Sequence, residues 1–382
     1  MNQWLYRGYG LLFRLFRLFG MKPDKAFFFM GHDCKFQGNI RYVHDAMKKE
    51  YPGIRRVVIS KKQLFAPRGN SAFAQGLQKL IGSLGLFVVV NYHMATSHYI
   101  FLNDNFLPLA YMPFSPDAVL VQLWHGAGAF KRFGLDTEPD PDVRRMVKKG
   151  NRRVNYVPVT AEHIVPIYES ALGIPRKNIH PDGIPLMDYY FDGQRQQRAA
   201  ERFYRSYPAC RGKKLILYTP TFRTEPEEND AIWEQLRAEE LLRRLGEEYV
   251  LLVRFHPQRP PKGIERLPRN CVNVTDYGDV KGLYTVSELM ITDYSCTAVE
   301  YSLLGKPLLF FAYDLERYDR GCYLDYEALP GGVLRTAQEL PAAILHPEAG
   351  LQNAAYFAKQ HFDCPMEYGY SRRLLQKLMK RA

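Results

Sequence analysis

The chain has 382 residues, of which 46% are hydrophobic and 24% charged, and its formal net charge is +12. That length exceeds one ordinary core and predicts two domains, and the composition excludes a disordered, collagen-like or disulfide-stapled chain. The cationic excess favours acidic partners: phosphorylated substrates, nucleic acid or anionic lipid.

The first twenty residues, with WLYRGYGLLFRLFRLFG at their centre, are apolar and aromatic, and Arg7, Arg14 and Arg17 fall on one helical face. Three arginines argue against a spanning helix, and Gly20-Met21-Lys22-Pro23 lacks a cleavage pattern. Two readings remain for residues 1–22: an amphipathic helix lying in a membrane interface, or an ordinary helix packed on the body of the protein. Six cysteines (Cys34, Cys210, Cys271, Cys296, Cys322 and Cys364) show no metal-like spacing and suit a reducing compartment.

Strand-length apolar runs follow at Phe27–Met30, Val57–Ser60, Leu86–Val90, Tyr99–Leu102, Val119–Leu123 and Tyr156–Val159. A second series occupies Lys214–Tyr218, Tyr249–Val253, Val272–Val274, Leu289–Ile291 and Leu308–Phe311. Helix-compatible stretches such as Asn39–Tyr51 separate them, and such alternation predicts βαβ units and parallel sheets. The expected fold class is therefore α/β, with two Rossmann-like domains and an interdomain cleft. The first domain is expected over residues 23–195 and the second over 205–350, joined by a charged helix at Gln194–Arg205. Residues 351–382 read as a closing helical segment that packs back on the first domain.

Four polar clusters each follow directly on an apolar run, where open α/β sheets bind ligands. Val119–Leu123 ends in Trp124-His125-Gly126-Ala127-Gly128, with Ala129, Lys131 and Arg132 close behind. Lys214–Tyr218 ends in Thr219-Pro220-Thr221-Phe222-Arg223, and Tyr249–Val253 in Arg254-Phe255-His256-Pro257. Leu289–Ile291 ends in Thr292-Asp293-Tyr294-Ser295-Cys296, at the start of a helix that carries Glu300. Glycines beside His125 permit close approach of backbone to a ligand, and the cations suit a phosphate. A histidine there can take a proton from an attacking hydroxyl. Arg254 with His256 can hold a diphosphate, Arg223 can serve the same anion, and Glu300 can accept bonds from ribose or polyol hydroxyls. Asp and Ser at the last turn can cap the following helix and leave its first N–H groups to an anion. The competing reading of each is structural: a capping histidine, a surface turn, a solvated helix carboxylate. No P-loop, dinucleotide fingerprint or metal motif is present, so neither metal nor cofactor is expected.

These clusters resemble the CDP-glycerol glycerophosphotransferase family, the enzymes that prime and extend teichoic acids. Gln122-Leu123-Trp124-His125-Gly126 is similar to its QTWHG motif, and Tyr218–Arg223 to its YAPTWR. Arg254–Pro257 matches an RxHP-like motif, Ile291–Ser295 matches ITDYS, and Tyr313–Tyr318 matches YDLExY, with Pro330-Gly331-Gly332 after it. The resemblance implies the two-domain glycosyltransferase type B architecture, with the nucleotide in the C-terminal domain. It implies transfer of a polyol phosphate from CDP-glycerol, or a related CDP-polyol, to a hydroxyl of a lipid-linked (undecaprenyl) acceptor, with CMP leaving. By resemblance His125 is the base and His256, with Arg254, the diphosphate-side group. Gly126, Ala127, Gly128, Ala129, Pro220, Thr221, Arg223, Phe255, Asp293, Ser295, Cys296 and Glu300 are then expected at the donor. A bilayer-anchored acceptor favours the membrane reading of the first helix. It places the protein peripherally on the cytoplasmic face of the cell membrane, against anionic lipid and without nucleic acid.

The sequence departs from the family at Ala127-Gly128-Ala129 (commonly Thr-Pro-Leu), at Cys296 (serine), at Glu300 (aspartate) and at Leu186 (a cation). The reaction class survives these changes, and the donor stays open between CDP-glycerol and CDP-ribitol. A nucleotide-sugar transferase of the same fold is the alternative.

Overall fold

The computed structural model describes residues 3–31, 35–66, 71–257, 259–318 and 321–380. Cys34, the first two residues of the expected N-terminal helix and the last two of the closing segment lie outside them. The chain divides into two compact units: residues 1–126, 133–191 and 363–382 form the first, and residues 127–132 and 192–362 the second.

The first unit is built on four parallel strands in the order β2-β1-β3-β4. They are β1 (Lys22–Met30), β2 (Arg55–Ser60), β3 (Ser97–Leu102) and β4 (Val119–Gln122). A two-stranded parallel pair, β5 (Val157–Pro158) and β6 (Ile179–His180), joins β4 through a bridge between Val121 and Tyr156. The run Phe27-Phe28-Phe29-Met30 does not alternate in polarity, because helices cover both faces of its sheet. Phe28 and Met30 pack with Ile40, Val43 and Met47 of the helix Gly38–Glu50, and with Leu374, Leu375 and Leu378 of the helix Tyr370–Met379. Phe27 and Phe29 face the other way, onto Tyr9, Phe13, Val90 and Met94. Each such buried side chain contributes about 2 kcal/mol of transfer free energy.

One expected strand is not a strand. Leu86–Val90 lies inside a continuous helix, Phe73–Thr96, which is long and apolar enough to cross a membrane. A short apolar run fits a strand or a helix equally well by periodicity, and here the helix that begins at Ala72 runs on through it. Its second half is anchored: Val90, Asn91, Met94 and Thr96 are buried. In its first half Gln78 is buried and donates to the Leu64 carbonyl (2.6 Å), while Phe73, Leu77, Leu80, Ile81 and Leu84 are exposed. The N-terminal helix, Gln3–Arg17, divides in the same way. Tyr9 and Phe13 are buried against the body, while Trp4, Leu5, Leu11 and Leu15 face outward, as do Leu18 and Phe19 just beyond it. The two helices are tied together, Tyr9 Oη donating to the Leu86 carbonyl (2.7 Å) and Asn91 Nδ2 to the Tyr9 carbonyl (2.9 Å).

The second unit carries five parallel strands in the order β11-β10-β7-β8-β9. These are β7 (Lys214–Thr219), β8 (Tyr249–Val253), β9 (Cys271–Asn273), β10 (Leu289–Thr292) and β11 (Leu308–Phe310). Renumbered within the unit this is 3-2-1-4-5 read from the other edge, a doubly wound order whose topological switch lies between β7 and β10. Ile216, Tyr218, Leu251, Val253, Ile291 and Leu309 pack under Leu241, Leu242 and Leu245. The linking helix is Gly193–Ser206, capped by Asp192, whose carboxylate accepts from the Arg195 amide (2.9 Å). Where the sequence suggested one closing helix, the structure has two. Glu348–His361 belongs to the second unit, and only Tyr370–Met379 returns to the first, with Pro365 and Gly369 in the break between them. Residues 127–132, expected in the first domain, pack in the second unit.

Candidate functional site

In the first unit β4 stops at Gln122, and the chain turns through Trp124 into His125. Trp124 sits at φ +52°, a left-handed backbone that costs a large side chain about 1 kcal/mol or more. Surrounding bonds hold it there. The Trp124 amide donates to Gln122 Oε1 (3.0 Å), and Gln122 Nε2 donates to the Asp104 carbonyl (3.0 Å). Asn39 Nδ2 donates to the Leu123 carbonyl (3.0 Å), and Asn39 Oδ1 accepts from the Leu186 amide (2.9 Å). Leu186, where the family pattern has a cation, is therefore a buried part of this support. His125 Nδ1 lies 3.1 Å from the Asn103 carbonyl oxygen. A carbonyl only accepts, so Nδ1 carries the proton and the neutral ring keeps its lone pair on Nε2. The Trp124 ring lies tilted over His125 with centroids 4.3 Å apart. A half-buried imidazole with one fixed tautomer suits proton abstraction.

In the second unit the loops after β7 and β10 meet at the switch point. Asp293 Oδ1 accepts from the amides of Thr221 (2.7 Å) and Tyr294 (2.6 Å). Its other oxygen pairs with Arg223 at 3.0 Å. Arg223 also grips Asp314 with two bonds, Nε to Oδ2 at 2.6 Å and Nη2 to Oδ1 at 3.0 Å. Tyr294 Oη donates to Asp314 Oδ1 (3.0 Å), and Tyr326 Oη to the Asp293 carbonyl (2.7 Å). The Arg223 side chain is only 5% exposed. Burial alone would lower its pKa, but the Asp314 hydrogen bond and the charges of Asp293 and Asp314 outweigh that and raise it. Arg223 and Asp293 are thus bound to each other within a buried ionic network that includes Asp314. Asp293 does not cap the following helix; Thr297–Ser302 is a short helix whose N-terminal amide, that of Thr297, reaches Ser295 Oγ at 3.4 Å.

The cluster after β8 is also tied into the protein. Arg254 Nη1 donates to the carbonyls of Val274, Thr275 and Tyr277, each at 3.0 Å. Its charge clamps the chain after β9, and burial lowers its pKa. Phe255 is core, 4% exposed, and stands edge-on to Tyr218 and Trp233. His256 is half-buried beside the Phe222 ring, with centroids 4.8 Å apart.

The remaining expected residues differ in exposure. Ser295 is half-buried and Cys296 exposed. Glu300 pairs with Lys281 at 3.4 Å. Pro220 is half-buried, and Thr221, although buried, receives a bond from Lys131 Nζ (3.0 Å) on its hydroxyl. Gly126 closes the first-unit turn, whereas Ala127, Gly128 and Ala129 are buried in the second unit. Among the described residues no group of His, Cys, Asp and Glu is arranged to hold a metal ion. Sequence reasoning missed Asn39, Asn103 and Asp314, whose partners lie far away along the chain.

The chain matches the family model described as CDP-Glycerol:Poly(glycerophosphate) glycerophosphotransferase over residues 11–362. It is 29% identical over 365 residues to a teichoic acid poly(ribitol-phosphate) polymerase of Bacillus spizizenii, covering 91% of this chain and 55% of that protein. A teichoic acid ribitol-phosphate primase of the same organism is 29% identical over 332 residues, covering 85% of this chain and 82% of the primase. A solved structure of the wall teichoic acid polymerase TagF shares the fold, with a TM-score of 0.73 at 22% identity, over 97% of this chain and 93% of that one.

Proposed function

The chain belongs to the CDP-glycerol:poly(glycerophosphate) glycerophosphotransferase family, and from that premise we propose that it transfers a polyol phosphate from a CDP-activated donor to a hydroxyl of a lipid-linked acceptor, in the synthesis of teichoic acid or a related wall polymer. The acceptor oxygen attacks the phosphorus that bears the polyol. The bond from that phosphorus to the CMP phosphate oxygen breaks, its electron pair leaves with CMP, and His125 Nε2 takes the hydroxyl proton. The observation that carries this reading is His125 itself, held as one tautomer by the Asn103 carbonyl on a strained turn at the end of β4. His256, Pro220, Thr221, Ser295, Cys296 and Glu300 form the donor side in this reading. CDP-glycerol is the first candidate donor and CDP-ribitol the second. Relatives named for both polyols, and a TagF structure soaked with CDPG, support the donor class. The two parallel sheets support the type B glycosyltransferase reading of the chain.

The same reading places the protein on the cytoplasmic membrane surface. The outward apolar side chains of Gln3–Arg17 and Phe73–Thr96, tied together by Tyr9 and Asn91, support a lipid-facing surface, with Arg7, Arg14 and Arg17 for anionic headgroups. Because the second half of Phe73–Thr96 is built into the core, the helix is read as lying in the interface, not spanning it.

A panel of CDP-glycerol, CDP-ribitol and UDP-sugars, read by ligand-dependent thermal shift, tests the donor. Stabilisation by a CDP-polyol is expected; stabilisation by UDP-sugars alone would move the assignment to a sugar transferase. Sedimentation with anionic and neutral vesicles tests the location, and equal recovery in the supernatant with both would contradict it.

A further inference from the structure

The helix Pro141–Asn151 and the turn after it carry six cations in ten residues: Arg144, Arg145, Lys148, Lys149, Arg152 and Arg153. Its apolar face is used against the body of the first unit. Met146 and Val147 are buried, and a Cβ on Gly150 would lie 2.9 Å from the Leu109 Cβ, so the helix is packed down closely there. The opposite face is exposed at Arg145, Lys148, Lys149 and Arg152. These positions recur every three or four residues and so form one row. At 1.5 Å per residue the row is about 10 Å long. An open groove of about 490 Å³ follows it, lined by Pro141 and Arg144 beside those four, with no carboxylate in its lining among the described residues. The acidic residues of the segment collect at its start. Asp140 caps the helix, accepting from the amides of Asp142 (2.8 Å) and Val143 (3.3 Å), and Asp142 pairs with Arg145 at 2.7 Å.

Both ends of this helix are tied to the surroundings of His125. At its start Arg144 Nη1 donates to the carbonyls of Leu135 and Glu138, just after Phe133, whose ring lies 5.1 Å from that of Trp124. At its end Asn151 Nδ2 donates to Asn105 Oδ1 (2.9 Å), two residues beyond the Asn103 carbonyl that meets His125 Nδ1. The cationic row is thus carried on a helix braced to both loops that hold His125. One exposed ion pair is worth no more than about fivefold in affinity, so no single cation here holds a lone phosphate. A row holds a chain, because each further phosphodiester binds as part of a molecule already in place. None of the exposed large apolar side chains among the described residues lies on 141–153, in contrast to Gln3–Arg17 and Phe73–Thr96, so this face suits a hydrophilic polyanion.

We propose that the exposed face of Pro141–Asn151 is an acceptor track, on which Arg145, Lys148, Lys149 and Arg152 bind successive phosphodiesters of an acceptor that already carries polyol-phosphate units. The terminal hydroxyl of that acceptor faces His125, and the units behind it lie along the helix. The protein on this account extends a chain in preference to adding its first unit. The inference rests on the polyol-phosphate transfer proposed above and deepens it on the acceptor side.

The test measures binding of an oligo(glycerol phosphate) of about eight units, without lipid or donor, to the full chain by fluorescence anisotropy at low and at raised salt. Wild type should bind the oligomer and lose affinity as salt rises, as expected where phosphates exchange counterions for fixed cations. The neutral variant R145Q/K148Q/R152Q should bind about tenfold more weakly or worse. Lys149, whose ammonium lies 4.4 Å from the centre of the Tyr111 ring, is left in place. R243Q/R266Q/R269Q removes the same charge from exposed positions of the second unit and should bind within about twofold of wild type. Should the first triple variant fail to fold, K148Q and R152Q made singly serve in its place, each expected to weaken binding about twofold. Equal affinity of wild type and the first-unit variants overturns the track. Equal losses in both triple variants also overturn it, since they mean attraction to net charge alone. Loss of anionic-vesicle binding in R145Q/K148Q/R152Q with oligomer binding retained overturns it too, and assigns the face to lipid. Stabilisation of wild type by CDP-glycerol with no oligomer binding overturns the track and leaves the donor reading standing. Oligomer binding with no CDP compound bound overturns that reading instead.

Discussion

The two units solve one structural problem in two ways. Each has a switch point where neighbouring parallel strands feed loops in opposite directions, and in each a side-chain oxygen from one loop holds a backbone amide of the other. In the first unit Asn103 Oδ1, after β3, accepts from the Gly31 amide, after β1, at 2.9 Å. In the second Asp293 Oδ1, after β10, accepts from the Thr221 amide, after β7, at 2.7 Å. The first device is neutral, and the carbonyl of the same asparagine sets the tautomer of His125. The second is charged, so it drags in Arg223, and Arg223 in turn drags in Asp314. Neutral support fixes a histidine ring through one backbone carbonyl. Ionic support must be closed on itself, because a buried charge without a partner is costly.

The largest effect that follows is on the ionic side. Asp293→Ala strips a buried guanidinium of one carboxylate and should destabilise the protein by about 3 kcal/mol in denaturant unfolding. A loss below about 1 kcal/mol would show that the network is solvated and the contrast false. The neutral side is cheaper. Asn103→Ala removes one hydrogen bond to Gly31 and should cost about 1 kcal/mol, with little else changed in the second unit.

The units also differ in how they treat a buried cation, and pH separates the cases. Arg223 is paired and its pKa is raised. Lys25, on β1, is 1% exposed and donates only to the neutral Thr96 hydroxyl at 2.6 Å among its described bonds. Burial, then Lys22 and Arg55, lowers its pKa to about 8. Below that value the folded protein bears the full penalty of a buried ammonium. As pH rises above about 8 the folded state releases its proton before the unfolded state does, so stability climbs until the unfolded lysine also titrates. Urea midpoints measured between pH 7.5 and 9.5 should rise in wild type and rise less in Lys25→Met; parallel profiles would break this part of the contrast.

The smallest stability effect is expected at the exposed apolar side chains. Replacing Leu15, Leu80 and Leu84 with serine should change stability by no more than about 0.5 kcal/mol each. The same substitutions should release the protein from anionic vesicles, and a stability loss like that of a core residue would mean that these side chains are covered by protein.

Much of this was legible in the sequence. Apolar runs such as Phe27–Met30 and Tyr249–Val253 form strands buried on both faces, and all four polar clusters stand at strand ends. Leu86–Val90 was misread because five apolar residues carry no period of their own. The site was legible in place but not in role. Sequence shows that Arg223 and Arg254 are cations beside an expected anion site; it does not show that Asp314, 91 residues away, closes on one, or that three carbonyls after β9 bind the other. Burial decides which charges are structure and which are function, and burial is a tertiary property.

The most direct test is CMP release from CDP-glycerol and CDP-ribitol, supplied with a lipid-linked acceptor on anionic vesicles, by wild type and by His125→Ala. Wild type should form one CMP per polyol phosphate transferred from at least one donor, and His125→Ala should be slower by about a hundredfold or more. No CMP from either donor, or release by His125→Ala at the wild-type rate, would contradict the account.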